Sequence, residues 1–301
     1  MSTPRRSLSL LAVLAAFTLG PKPEPEAAAR PAVFLNHFFA VISKESYAAI
    51  LADPYLTTTF APFEKRTTVR NDETYTGAYW YGRNTYFEVF EPPSQGPVGS
   101  GGMALSVDGS GKSAAVKAAW VDSLGAAETS AVTRRAETAE PVWFHITAAR
   151  GAGSGFRIWL MEYHKDFLAS WYPQLTPARG ITRGEVLDRY VAKIGKSQDR
   201  ETAVLRDVTG LVLALDDSDL VQLQKHVVPA GWSEKPGGVG SDVTFTGPDG
   251  VRIEVIKASP TRRGIVEARF SVQGTPSPHA ATLGQVRIEV DARSARIRFA
   301  P

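Results

Sequence analysis

The order of predicted strands and helices repeats along this chain from Pro31 onward, with a period of about 60–70 residues. The first repeat reads as a strand, a helix and three further strands, over residues 35–42, 43–51, 64–70, 74–81 and 85–90. The second repeat has the same order, over residues 103–107, 113–124, 130–134, 142–147 and 156–163. Because one such unit leaves an apolar sheet face uncovered, the units must pair across a shared cleft.

The rest of the chain repeats the pattern less completely. A third unit follows as a strand, a helix and two strands, over residues 209–215, 218–228, 242–246 and 251–256. Three strands at the end, over residues 264–272, 285–290 and 295–299, predict a fourth unit that has lost its helix. The sequence therefore predicts an α+β fold of tandem βαβββ modules, paired into curved sheets that enclose clefts.

Residues 168–204 do not fit the repeat. Thr182 and Glu185 have the spacing of a capping box, and apolar residues follow them at helical intervals. This segment is predicted to be a helical linker with a helix near 182–195. It would connect a complete module pair over residues 30–167 to a degenerate second pair over residues 205–301.

The first 29 residues have the layout of an export signal. Arg5 and Arg6 precede an apolar run over residues 8–19, and three alanines at 27–29 form a cleavage-site pattern. The apolar run is too short to span a membrane comfortably. We expect residues 1–29 to be removed, leaving an exported mature chain without a membrane span.

Composition excludes several kinds of chemistry. The chain has no cysteine, which rules out disulfides, thiolate metal ligands and a cysteine nucleophile. The formal net charge is only +3 and the basic residues are scattered, so nucleic-acid binding is not expected. The expected partner is a small-molecule ligand in a cleft between modules.

A tight turn that leads into an alternating strand occurs at residues 247–255, Gly-Pro-Asp-Gly-Val-Arg-Ile-Glu-Val. Its strand half returns at residues 286–290 and, more loosely, at residues 85–92. This ending resembles the last hairpin of the βαβββ module in the vicinal oxygen chelate superfamily. That superfamily includes glyoxalase I, bleomycin-resistance proteins and extradiol dioxygenases.

The resemblance implies a metal site, since the superfamily takes its ligands from first and last strands. Transferred to this chain, it places the first-strand histidine at His37 and the last-strand glutamates at Glu88 and Glu162. The first strand of the second unit offers no ligand. His164 alternates onto the same face as Glu162 and could substitute for that missing ligand, and His145 is a further candidate. One imidazole and two carboxylates suit Zn, Fe(II), Mn or Ni without distinguishing them.

The same residues have simpler interpretations. His37 could be a partly buried histidine bonded to backbone, with the glutamates solvated at strand ends, and His226 is expected on the surface of a helix. The aromatic run over residues 75–90 is more often core than pocket, although alternation places Tyr79 and Tyr81 together as ligand-binding candidates.

Residues 108–113, Asp-Gly-Ser-Gly-Lys-Ser, look like a phosphate-binding loop between a strand and a helix. That motif requires a glycine at position 106, which is Ser106 in this chain. The loop is therefore not expected to bind nucleotide phosphate.

Two functions from different classes remain. The first is an exported metal-dependent lyase, isomerase or dioxygenase that acts on a small oxygen-rich or aromatic molecule. The second is a metal-free small-molecule-binding or sequestering protein of the bleomycin-resistance type, with a planar ligand held between aromatic walls.

Overall fold

The computed structural model describes residues 31–135, 140–149, 155–165, 181–194 and 199–299, together with Phe167 and Ala169. The export signal predicted for residues 1–29 lies outside these ranges, as does part of the predicted linker. No helix within the described ranges is long and apolar enough to cross a membrane.

The first sheet has eight strands and contains two complete modules. Its elements are β1 Val33–Val41, α1 Lys44–Ala52, a π-helical turn Leu56–Phe60, β2 Phe63–Val69, β3 Thr74–Tyr81, β4 Tyr86–Phe90, β5 Gly101–Val107, α2 Ser113–Leu124, β6 Ala127–Thr133, β7 Val142–Ala149 and β8 Phe156–Tyr163. The strand order is β2-β3-β4-β1-β5-β8-β7-β6. In each module the first and last strands are parallel because a helix carries the chain back across the sheet, and the modules meet at the antiparallel β1–β5 pair.

Helix α3, Arg183–Ile194, separates this sheet in sequence from a second sheet of eight strands. The second sheet is built from β9 Leu205–Leu215, α4 Asp217–Val227, β10 Ser233–Pro236, β11 Val243–Thr246, β12 Arg252–Lys257, β13 Gly264–Val272, β14 His279–Leu283, β15 Val286–Val290 and β16 Ser294–Phe299. Strands β10 and β14 were not predicted from the sequence, because both are short edge strands without a fully buried residue. The predicted α+β fold of paired modules in two halves is confirmed.

The fourth module shows what the loss of a helix does to a sheet. In the third module β9 and β12 are parallel, whereas in the fourth β13 and β16 are antiparallel. Without a crossover helix, β14 runs in the opposite direction to β13 at the far edge of the sheet, which reverses the direction of the last strand. Helix α1 of the first module lies against this part of the sheet, where the Gln285 amide donates to Ser46 Oγ at 2.8 Å.

The two sheets pack back to back through one apolar core. Phe87 of the first sheet lies 5.3 Å from Phe270 of the second, measured between ring centroids. Helices α2 and α4 also meet in this core, where Trp120 Nε1 donates to the His226 carbonyl at 2.8 Å. The expectation that His226 lies on the surface is wrong, since its exposed fraction is 2%. The other face of the first sheet points away from this core and is called the cleft face below.

Candidate ligand-binding cleft

The cleft face of the first sheet encloses a cavity of about 300 Å³ between the first and second modules. Its wall combines aromatic, aliphatic and charged side chains, among them His37, Phe39, Arg70, Glu73, Tyr75, Tyr86, Glu88, Gln95, Phe144, Ile146, Arg157, Trp159 and Met161. Gly102 on β5 allows the Phe39 ring to pack closely against the middle of the floor. A Cβ on Gly102 would lie 2.7 Å from the Phe39 ring, so only glycine fits there without displacing that wall.

Helix α3 covers part of the cleft face. Its residues Val186, Leu187 and Tyr190 form an apolar cluster with tyrosines of the sheet. Tyr190 stacks on Tyr81, with ring centroids 5.8 Å apart and planes 8° from parallel. Tyr79 is buried beside them. The segment predicted as a linker therefore also covers part of the cleft face, beside the cavity.

This cover changes the role of two predicted ligand-binding residues. Tyr79 and Tyr81 share the cleft face, as their alternation indicates, but they are 0% and 1% exposed and are absent from the cavity wall. They are packing residues beneath α3, so their assignment to the pocket is corrected. Tyr75 and Tyr86 line the cavity in their place.

The start of α3 is held by polar contacts from three directions. The Arg183 amide donates to Asp108 Oδ1 at 2.9 Å, and its guanidinium donates to the Leu35 carbonyl at 2.6 Å. The same guanidinium reaches Asp249 Oδ2 at 3.2 Å. Asp249 belongs to the Gly-Pro-Asp-Gly turn at residues 247–250. That turn helps to fix the helix that covers part of the cleft face.

A β-bulge positions the first strand of the site. The register between β1 and β5 shifts between Leu35 and His37, which leaves Asn36 as the extra residue. Asn36 and His37 therefore both reach toward the cleft face, although a regular strand would send them to opposite faces. Asn36 is a site residue that the sequence analysis missed. The available signal was two successive polar residues inside an otherwise apolar strand.

Asn36 determines which nitrogen of His37 carries the proton. Its Nδ2 donates to Ser106 Oγ at 3.2 Å, which directs Oδ1 toward His37. Oδ1 accepts from His37 Nδ1 at 2.8 Å and from the Tyr163 hydroxyl at 3.4 Å. With Nδ1 as the donor, His37 Nε2 has a free lone pair that faces Glu88.

His37 and Glu88 form the polar base of the cavity. His37 Nε2 lies 3.8 Å from Glu88 Oε1, and the two residues are 5% and 7% exposed. The imidazole stacks on Tyr86 with ring centroids 4.4 Å apart and meets the edge of Trp159 at 5.4 Å. The structure therefore brings together two of the three predicted metal ligands inside an aromatic enclosure.

Burial shifts the pKa values of these two groups in opposite directions. It lowers the pKa of His37 to about 3, and the positive charges of Arg66 and Arg70 act in the same direction. Burial raises the pKa of Glu88 to about 7, although Arg66 and Arg70 oppose that change. Near neutral pH a neutral imidazole thus faces a carboxyl group that exchanges between its acid and ionised forms.

Glu162, the third predicted ligand, does not join them. It lies between Met161 and Tyr163, whose side chains pack on the cleft face, and its own side chain points to the other side of β8. Its carboxylate accepts from the Gly111 amide at 2.7 Å and from the Ser113 amide at 2.8 Å. Burial alone would raise the pKa of Glu162, but these hydrogen bonds outweigh it and lower the pKa. Glu162 is an anionic cap on α2, so its prediction as a metal ligand is wrong.

The two further histidine candidates lie with Glu162 rather than in the cavity. His145 is paired with Glu162 across β7 and β8, and its ring contacts that of His164 at 5.4 Å. Neither histidine lines the cavity, so their assignment to the ligand site is also corrected. Within the described part of the chain, no group of three or more His, Cys, Asp or Glu side chains is arranged to hold a metal ion. The residues present therefore do not fit the expected metal centre.

Fold and cleft together define a protein of tandem βαβββ modules with a small-molecule-sized cavity between the first two. The chain belongs to the family of unknown function DUF5829, whose model matches residues 35–299. Among curated proteins, none matches the chain. Among solved structures, the chain is similar to a xylose isomerase-like TIM barrel/4-hydroxyphenylpyruvate dioxygenase fusion protein, with 14% sequence identity and a TM-score of 0.42. That match covers 78% of this chain and 36% of the fusion protein, so the chain spans about a third of its length.

Proposed function

We propose that this protein binds a small, flat molecule in the cleft without a metal ion, as a divergent member of the vicinal oxygen chelate superfamily. The observation that carries the proposal is the cavity of about 300 Å³ walled by aromatic side chains from both modules. Sites for small molecules commonly have this character, with volumes of about 300–1,000 Å³ and a few polar groups that fix orientation. Phe39, Trp159 and Phe144 supply flat apolar surface, and the His37–Glu88 pair supplies the polar groups at the base.

The donor set favours this function over the metal-dependent enzyme that the sequence also allowed. His37 offers one free nitrogen and Glu88 one carboxyl group, whereas catalytic zinc sites use three protein ligands. The third carboxylate, that of Glu162, is engaged by two backbone amides on the opposite side of the sheet. Binding or sequestration of a ligand requires none of these groups to hold a cation.

The proposal is tested by calorimetric titration of the chelator-treated mature protein with two flat probes, 2-naphthoate and 2-naphthamide. We expect at least one probe to bind with one molecule per chain. Ala148→Phe should weaken that binding at least about tenfold, because Ala148 lines the cavity and a phenyl ring would fill it. The matched control is Ala131→Phe, at an exposed position on the neighbouring strand β6, which should leave binding unchanged.

Two outcomes would overturn the proposal. The first is that neither probe binds, or that Ala148→Phe binds as well as the unmodified protein. The second is that binding appears only after Zn²⁺, Mn²⁺ or Fe²⁺ is added back, which would restore the metal-dependent alternative. Export of the protein stays a separate prediction, which N-terminal sequencing of the mature chain would check.

A further inference from the structure

We infer that the ligand of this cleft is an organic anion whose acid group binds Arg157 while its flat body lies over Phe39 and Trp159. The inference rests on the proposed function and adds the chemical class and orientation of the ligand. Among the arginines of the cleft face, Arg66, Arg70 and Arg157 differ in how their charge is compensated.

Two of these arginines already have carboxylate partners. Arg66 is bonded to Glu64 and lies over the Tyr79 ring at 3.8 Å, beneath the part of the cleft that α3 covers. Arg70 is paired with Asp72 and, at 3.2 Å, with Glu73. Their charges are held within the protein, so neither is a free site for a ligand anion.

Arg157 is different. Its Nη2 donates to the carbonyl and to the side-chain Oε1 of Gln95, both at 2.8 Å, and its guanidinium lies 4.5 Å above the Phe39 ring. Both acceptors are neutral. Among the described residues, no carboxylate oxygen lies within 4.0 Å of the Arg157 guanidinium, the distance that defines an ion pair. Arg157 is also exposed to solvent, whereas His37 and Glu88 are buried, so it stands at the entrance of the cavity. A guanidinium held in place with donors to spare is a good partner for a carboxylate.

The strand register places Arg157 in line with the base of the cavity. Glu88, Phe39, Gly102 and Arg157 are successive partners across β4, β1, β5 and β8. Three strand spacings separate the first from the last, or about 14 Å between backbones. Gly102 contributes no side chain to this row, so the Phe39 ring packs directly between Glu88 and Arg157 and forms the floor along which a ligand would lie. A two-ring aromatic acid can bind Arg157 at one end and approach the Glu88 carboxyl with the other.

The electrostatic balance of the cavity also favours an anion. Arg66 and Arg70 both lower the pKa of His37, after the larger effect of burial, so their positive charges act at the base of the cavity. Two carboxyl groups line the cavity: Glu88, which is uncharged in part of the population near neutral pH, and Glu73, whose charge is paired with Arg70. An entering carboxylate therefore meets little repulsion at the base and a cation at the entrance.

The experiment compares 2-naphthoate, which is ionised near neutral pH, with 2-naphthamide, which has nearly the same shape and no charge. In the unmodified protein we expect the acid to bind at least about tenfold more tightly than the amide, the size of one charge-assisted hydrogen-bonded contact. Arg157→Gln should abolish that preference while the amide binds as before. Arg287→Gln removes the same charge from an exposed position on the second sheet and should preserve the preference.

Equal affinity for the two probes in the unmodified protein would overturn the anion inference and leave the proposed function standing. A preference for the acid that survives Arg157→Gln would also overturn it, because the acid group would then bind elsewhere. If neither probe binds, the proposed function itself fails.

Discussion

Burial of a carboxyl group beside an imidazole is the residue-scale feature that most distinguishes this cleft. Glu88 and His37 have pKa values of about 7 and about 3, displaced from 4.5 and 6.5 in opposite directions. For Glu88, the folded state retains a proton between about pH 4.5 and pH 7 that the unfolded state releases, so stability falls as pH rises through that range. For His37, the unfolded state takes up a proton first, so stability falls as pH decreases below about 6.5.

The effects of Glu88 and His37 on the stability of the protein oppose each other at mildly acidic pH. A substitution of Glu88 alone therefore isolates its contribution to the pH dependence of stability. Glu88→Gln should be more stable than the unmodified protein by up to about 3 kcal/mol near pH 8, with the difference disappearing toward about pH 4.5. Urea unfolding at a series of pH values measures this difference. Glu45→Gln, at an exposed position on α1, should show no such trend. A difference that is the same at every pH would contradict the raised pKa of Glu88.

At the level of the elements, the loop that resembles a phosphate-binding motif has its free backbone amides hydrogen-bonded by a side chain of the same protein. Residues 108–113 present backbone amides at the start of α2, where Lys112 provides no side-chain cap. The Glu162 carboxylate accepts hydrogen bonds from the backbone amides of Gly111 and Ser113, as a bound anion would. A capping carboxylate from the neighbouring strand β8 thus joins α2 to its own module.

Replacement of that cap should cost stability and leave the cleft intact. Glu162→Gln should reduce the free energy of unfolding by about 1–2 kcal/mol, because a charged acceptor for two amides is lost. Probe binding should be unchanged, since Glu162 faces away from the cavity. Asp122→Asn removes an exposed charge from the same helix and should change stability by less than about 0.5 kcal/mol. Loss of binding without loss of stability would return Glu162 to the ligand site.

For the whole molecule, the arrangement of the two sheets makes each half depend on the other. The faces that carry the helices pack together, and helix α1 of the first half lies against the fourth module, which has no helix of its own. Phe270 of the second sheet contacts both Phe87 and Phe60 of the first half. The cleft and the degenerate second half therefore share one core, although they are separate in sequence.

Phe270→Ala should accordingly destabilise the entire protein, including the half that does not contain the substitution. A loss of about 3–5 kcal/mol is expected for a phenyl ring removed from a packed core. Tryptophan fluorescence, which includes Trp159 in the cleft, and far-UV circular dichroism should show one coincident transition at a lower temperature. Val239→Ala, at a fully exposed position, is the control. Separate transitions for the two signals would contradict a shared core.

Most of the elements and their order follow from local signals in the sequence, the edge strands β10 and β14 excepted. Apolar periodicity placed β3, α2, β8 and β13 at their observed bounds. Capping chemistry located two helix starts, since Ser43 caps α1 and the Thr182–Glu185 box precedes α3. These signals are local, because turns, caps and periodicity depend on residues a few positions apart. The pairing of modules followed from the repeat, since an uncovered apolar face requires a partner.

The tertiary structure alone decided which side chains meet in the cleft. Both faces of β8 are apolar, so the sequence could not show that Trp159 faces the cavity and Glu162 does not, and a shift of one residue exchanges the two faces. The bulge that turns Asn36 and His37 toward the same side is a property of the register between β1 and β5. The cover that α3 places over Tyr79 and Tyr81 is a contact between segments about 100 residues apart. Register, cover and burial arise from distant parts of the chain, and they determine the pKa values and the open donors that give this cleft its chemistry.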